Sequence, residues 1–150
     1  MRKAITTFLG LALVAGAFAG PAMAGKTTKG SYQVMAAPLP VLTDVDPNGC
    51  LGAVEGVHKV TTPVKAPATG KLSVLLDGFE GDWDLYVLDK NGAVLASSTG
   101  DQTSAMAGLG GDPMEEKVVL PVFGKKTLSI SACNWAGSPV ANVTWKYVVR

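Results

Sequence analysis

Glu80, Asp82 and Asp84 fall at alternate positions, and the stretch around them is strongly acidic. Residues 77–116 hold nine acids against Lys90 alone. Calcium takes about six to eight oxygens from carboxylates and loop carbonyls. Glu80, Asp82 and Asp84 sit around one expected strand start, where Asp101 or Asp112 could join them from a long loop. Within a strand Asp82 and Asp84 would share a face, bringing two carboxylates together. These residues make calcium the candidate cofactor. The same acids also suit a solvated rim, or turns in which an Asp accepts from backbone N–H groups. A calcium loop of the helix-loop-helix type is absent from the sequence.

Trp83, Tyr86 and Trp135 lie near expected loops, beside carboxylates and amides. Exposed rings with polar anchors nearby suit a sugar ring or a peptide. Trp83 is in step with Leu85 and Val87, so it is also placed to face a core. Trp135, two residues beyond Cys133, is placed to pack on a disulfide. Trp145 and Tyr147 read as core.

Cys50 and Cys133 are the two cysteines of the chain. An even pair in an exported chain reads as one disulfide. It would close a loop of 83 residues, a constraint worth roughly 4–5 kcal/mol on the chain-entropy account. A catalytic thiol would need a His partner. The one candidate, His58, lies in the alternating run Gly56-Val57-His58-Lys59-Val60-Thr61 and points outward between valines. Carboxylate-pair hydrolysis needs a cleft holding the pair roughly 5–10 Å apart, for which short loops leave little room. Nucleophile-elbow, zincin and phosphate-loop motifs are absent. Asn142-Val143-Thr144 matches a glycosylation sequon but lies mid-strand. The expectation is a chain without catalytic residues.

The N-terminus explains the compartment. Met1-Arg2-Lys3 is a basic head, Ala4 to Ala19 is uncharged and apolar, and Ala22-Met23-Ala24 has small residues where signal peptidase needs them. Cleavage after Ala24 is expected, with Ala17-Phe18-Ala19 as an earlier alternative. The apolar run spans 16 residues, short of the roughly 20 that cross a bilayer. The remainder holds 11 basic and 12 acidic residues, net −1. That balance excludes a broad cationic surface for nucleic acid.

The elements that must position these residues are strands. Gly 18 and Pro 9 in 150 residues argue for many turns. Period-two runs recur between turn signals: His58 to Val64, Lys71 to Asp77, Trp83 to Asp89, Ala93 to Ala96, Lys117 to Leu120, Thr127 to Ala132 and Ala141 to Val149. Lys90-Asn91-Gly92 is a hairpin turn. Residues 99–113 read as a long loop. In the lead-in, Gly25 to Gly30 is polar and expected loose, Tyr32 to Met35 is a short strand, and Pro38 and Pro40 break it. One apolar face per strand fits two antiparallel sheets packed face to face. A closed barrel is the other architecture the pattern allows.

Gly81-Asp82-Trp83-Asp84-Leu85-Tyr86-Val87-Leu88-Asp89 resembles the bacterial pre-peptidase C-terminal domain, whose core strand reads D-x-D-L-Y-V. Gly70-Lys71-Leu72, Lys90-Asn91-Gly92, Glu116-Lys117-Val118, Gly124 to Ile130 and Val143 to Val149 are similar to its remaining parts, so that the likeness covers about residues 57–149. The resemblance implies a jelly-roll-like sandwich on exported proteins, usually at the C-terminus of proteases. Related collagenase segments bind insoluble substrate and use calcium to order a linker. This chain differs in its Cys50/Cys133 pair and in Asn134-Trp135-Ala136-Gly137 after it, and it is expected to carry no protease ahead of the domain.

The expectation is therefore an all-β, antiparallel, jelly-roll-like β-sandwich of seven to eight strands with one disulfide. A signal peptide occupies residues 1–24, a lead-in 25–55 and the sandwich 56–150. The protein is expected outside the cell, monomeric and without a membrane span in the mature chain. It would be a binding or accessory module holding extracellular polysaccharide or protein through Trp83, Tyr86 and Trp135. The alternative is a structural or chaperone-like partner that engages another exported protein, such as a protease, along a sheet edge.

Overall fold

Side chains of a strand alternate between its two faces, and here one face of each strand is apolar. The computed structural model describes residues 25–40, 49–99 and 114–150. The expected leader, Asp44 to Asn48, Asp101, Asp112 and nearly all of the expected long loop lie outside them. The strands are β1 (Thr27–Met35), β2 (Lys59–Ala66), β3 (Gly70–Asp77), β4 (Trp83–Leu88), β5 (Val94–Ser98), β6 (Glu116–Val122), β7 (Lys126–Asn134) and β8 (Val140–Val149), with one 3-10 turn, Gly49–Gly52, between β1 and β2.

They form two four-stranded antiparallel sheets, ordered β1-β8-β3-β6 and β2-β7-β4-β5. This is jelly-roll order. Strand pairs 1/8, 2/7, 3/6 and 4/5 are nested, like one long ribbon rolled so that successive pairs fall in alternate sheets. The core lies between the sheets. Leu72, Val74 and Leu76 of β3 and Ala141, Val143 and Tyr147 of β8 meet Trp83, Leu85 and Val87 of β4 and Leu128 and Ile130 of β7. The Tyr147 hydroxyl donates to the Ala68 carbonyl at 2.5 Å, so its polar end is satisfied. Glu116, also buried, hydrogen-bonds the Ser98 hydroxyl where β6 and β5 come together across the two sheets.

One expectation needs correction. Gly25 to Gly30 is not loose. From Thr27 onward it belongs to β1, nine residues long and paired with β8 from Thr27↔Val148 to Met35↔Val140. The first sheet therefore begins inside the stretch read as a lead-in. Gly30 pairs with Trp145, whose indole occupies the space a side chain would need: a Cβ there would fall 2.7 Å from Trp145 Nε1. At the other edge of the sandwich the Tyr32 side chain hydrogen-bonds Thr62 of β2, tying the two sheets together.

The second sheet is also covered on its outer face. Cys50, in the 3-10 turn, is bonded to Cys133 of the inner strand β7, with Cα atoms 5.8 Å apart. Both are fully buried, with Tyr86 beside them and Leu39, Leu51, Ala53 and Leu88 packed around. The Lys59 ammonium donates to the Leu51 carbonyl at 2.8 Å and fastens the same crossover. Because the bridge links residues 83 apart, a Cys50→Ala/Cys133→Ala variant is expected to lose about 2–5 kcal/mol of stability in urea unfolding. A loss below about 1 kcal/mol would mean that the crossover is held without it.

Candidate functional site

The β7–β8 connection, residues 134–139, is built on a side chain that faces inward. Cys133 points out of the second sheet, so its neighbour Asn134 points in, fully buried. Asn134 Nδ2 lies 2.8 Å from the Ala36 carbonyl, 3.0 Å from that of Ser138 and 3.2 Å from that of Gly137, while Oδ1 accepts from the Gly137 N–H at 2.7 Å. One amide thus closes the loop on itself and ties it to the chain leaving β1. Trp83 Nε1 donates to the same Ser138 carbonyl at 3.0 Å.

The segment entering β4 holds the loop from the other side. The Asp82 carbonyl accepts from the N–H groups of Trp135 and Ala136, both at 3.0 Å. Ser138 N–H donates to the Glu80 carbonyl at 2.7 Å, and its hydroxyl accepts from Glu80 N–H at 3.0 Å. Two glycines permit this approach. Gly81 has φ +85°, and a Cβ on it would fall 2.4 Å from the Ala136 carbonyl oxygen. A Cβ on Gly137 would fall 2.5 Å from the Glu80 oxygen and 2.8 Å from the Trp83 ring.

The three expected ligand-binding aromatics separate. Trp83 is fully buried against Phe79 and the core, so its ring is closed to a ligand. The reason is parity: Trp83 shares the inward face of Leu85 and Val87. Tyr86 is 9% exposed over the disulfide and donates its hydroxyl to Asp84 Oδ2 at 3.0 Å. Trp135 is 37% exposed, on a loop pinned from both sides. The structure brings Trp135 and Trp83 into one loop system but offers only the first outward.

Of the four expected metal ligands, Glu80, Asp82 and Asp84 are among the described residues. Asp101 is outside the described residues. Glu80 is exposed, Asp82 lies one residue before β4, and the charges of Asp82 and Asp84 both reach the Tyr86 hydroxyl. Among the described residues, no three His, Cys, Asp or Glu side chains come together as a metal-holding group. Asp84 serves Tyr86 instead. Its carboxyl is raised above the ordinary range, mainly because burial penalises the charge and in part because Glu116 is near; the Tyr86 hydrogen bond opposes the shift. Burial, the Asp84 charge and the hydrogen bond to it push the Tyr86 hydroxyl up, with a smaller contribution from Asp82. Beside this pair, Glu55 accepts from the Thr61 N–H at 2.6 Å and from the Thr61 hydroxyl at 2.7 Å, and that hydroxyl lies 3.3 Å from Ser131 Oγ. His58 Nδ1 is 2.9 Å from the Ala37 carbonyl, binding the crossover.

Asn134, Ser138, Gly81 and Gly137 were not singled out as site residues by sequence reasoning. The readable signal is an Asn with Gly at the third position after it, beyond an alternating strand.

No known family matches this sequence, and no curated protein matches it. Among solved structures, the infectious bursal disease virus VP2 subviral particle is similar, with a TM-score of 0.40 and 12% identity. The match covers 96% of this chain and 37% of that one, so this chain spans little more than a third of its length.

The Asp84 carboxyl gives a pH test. A raised pKa means that the folded state holds the proton more tightly than the unfolded chain. Asp84 therefore favours folding below the ordinary carboxylate range, and that contribution is lost as pH rises through the folded value. Asp84→Asn keeps an acceptor for Tyr86 and removes the charge. The variant is expected to melt a few degrees above the unaltered protein at pH 7, with the gain gone by about pH 3. Equal melting temperatures at both pH values would refute the burial cost.

Proposed function

We propose that this protein is an exported, non-catalytic binding module that holds extracellular polysaccharide or protein, with Trp135 as its anchor. The carrying observation is a half-open indole on a loop fixed by Asn134, Gly81 and Gly137. An anchor already held in place loses little freedom on binding, so more of its contact energy appears as affinity. Indole is also the side chain most suited to stacking on a sugar ring or filling a pocket in a partner. The buried disulfide supports export, because such bonds persist in oxidising compartments. The D-x-D-L-Y-V strand supports kinship with pre-peptidase C-terminal domains.

A second reading is supported by the sheet edges. β2 carries Pro63, β6 carries Pro121, and β5 is five residues long. Prolines and shortness protect edges from further pairing. β1 has nine residues and no proline, and could accept a strand from another exported protein.

Retention of the purified protein on insoluble polysaccharide or collagen tests the first reading. Trp135→Ala is expected to abolish retention and leave the melting temperature nearly unchanged, since the ring is not in the core. Full retention of that variant would remove Trp135 as the anchor. Under the second reading, a co-purifying exported protein would slow hydrogen exchange along β1 while Trp135→Ala had no effect.

A further inference from the structure

The outward face of the first sheet carries lysines paired across strands. Lys29 of β1 stands directly opposite Lys146 of β8. Residues so paired have Cβ atoms about 4.5–5.5 Å apart, and like charges there destabilise the sheet. The row continues through Ser73 of β3 to Val119 of β6, without an acid to offset the pair. Lys71 and Lys117 stand on the same face, one on β3 and one on β6. All four lysines are exposed, and none forms an ion pair with a described residue. Two acids stand at one end of this face among the described residues: Asp77, the diagonal neighbour of Lys117 across β3 and β6, and the exposed Glu115, two residues before Lys117. Asp77 is four residues along β3 from Ser73, roughly 13 Å from the Lys29/Lys146 row by strand rise. A chain of net charge near zero thus carries a cationic sheet face, while its acids concentrate in residues 77–116.

Hydroxyl and aliphatic side chains stand between the lysines. Ser31 and Thr144 pair across β1 and β8 with hydroxyls 3.3 Å apart, Leu75 pairs with Thr144, and the exposed Val119 stands opposite Ser73. Hydroxyls and short aliphatic groups match the hydroxyls and C–H faces of a sugar ring, while the ammonium groups match charges repeated along a chain. The described strand residues of this face include no aromatic ring on which a nucleobase could stack, and the exposed Phe123 lies one residue past the end of β6.

From this charge complementarity we infer that the outer face of the β1-β8-β3-β6 sheet binds an anionic polysaccharide, its carboxylate or sulfate groups seated on Lys29, Lys146, Lys71 and Lys117. The surface is separate from the Trp135 loop, and binding there stands or falls independently of it.

Native electrophoresis of the purified protein through gels containing polygalacturonate tests this, with neutral dextran gels as reference. The protein is expected to be retarded by polygalacturonate and not by dextran, and the retardation to fall steeply with added salt. Lys29→Gln/Lys146→Gln is expected to weaken the apparent Kd roughly tenfold. Lys71→Gln/Lys117→Gln, on other strands, guards against a folding defect in the first variant and should weaken it similarly. Trp135→Ala should match the unaltered protein. The inference is overturned by absence of retardation, by equal retardation in dextran, or by lysine variants that run like the unaltered protein. Lysine-dependent binding to phosphatidylglycerol vesicles without binding to polygalacturonate would overturn it too, by identifying a membrane surface instead.

Discussion

The bond between Cys50 and Cys133 is the constraint on which the rest of this structure leans. It joins the segment before β2 to an inner strand of the second sheet, and it converts the outer face of that sheet into a small second core. Its position on β7 also sets the direction of the next side chain. With Cys133 fixed outward, Asn134 must turn inward, and from there its amide reaches the chain leaving β1 and the loop carrying Trp135. Two consecutive residues, facing opposite ways, thus tie the crossover between β1 and β2 to β7 covalently on one side and by hydrogen bonds on the other.

A jelly roll leaves few local contacts to rely on. β1 pairs with β8, and β2 with β7, across most of the described chain. Such pairings close long loops, whose entropy must be overcome before the contacts form. A buried cross-link of wide sequence span restricts the unfolded chain in the same sense. The cover it holds in place also explains why Asp84 and Tyr86 are bonded to each other: under a packed crossover each polar end needs a partner inside the protein.

Strand positions were legible from period-two patterning because one face of β3, β4, β7 and β8 is continuously apolar. Leu72, Val74 and Leu76, or Leu128, Ile130 and Ala132, announce themselves. β1 was not legible over its first half. Its inward positions there are Thr28 and Gly30, and Gly30 is small only because Trp145, distant in sequence, fills the place above it. The same limit governs the aromatics. Trp83 and Trp135 both neighbour turn residues and carboxylates or amides, but alternation from Leu85 and Val87 sends Trp83 inward, while Trp135 lies past the last paired residue of β7, where alternation no longer decides.

These outcomes bear on how a motif such as D-x-D-L-Y-V is to be understood. Each position in this chain has a structural occupation. The Asp82 carbonyl holds the Trp135 loop, Leu85 and Val87 build the core, and Asp84 and Tyr86 satisfy each other beneath the crossover. The segment is engaged in holding its own fold. Among the described side chains that the core does not engage are the indole of Trp135 and the lysines on the first sheet, and neither lies in the motif. The fold places no demand on these side chains: Trp135 stands on a loop held through its backbone, and the lysines stand on the outward half of a sheet whose inward half supplies the stability.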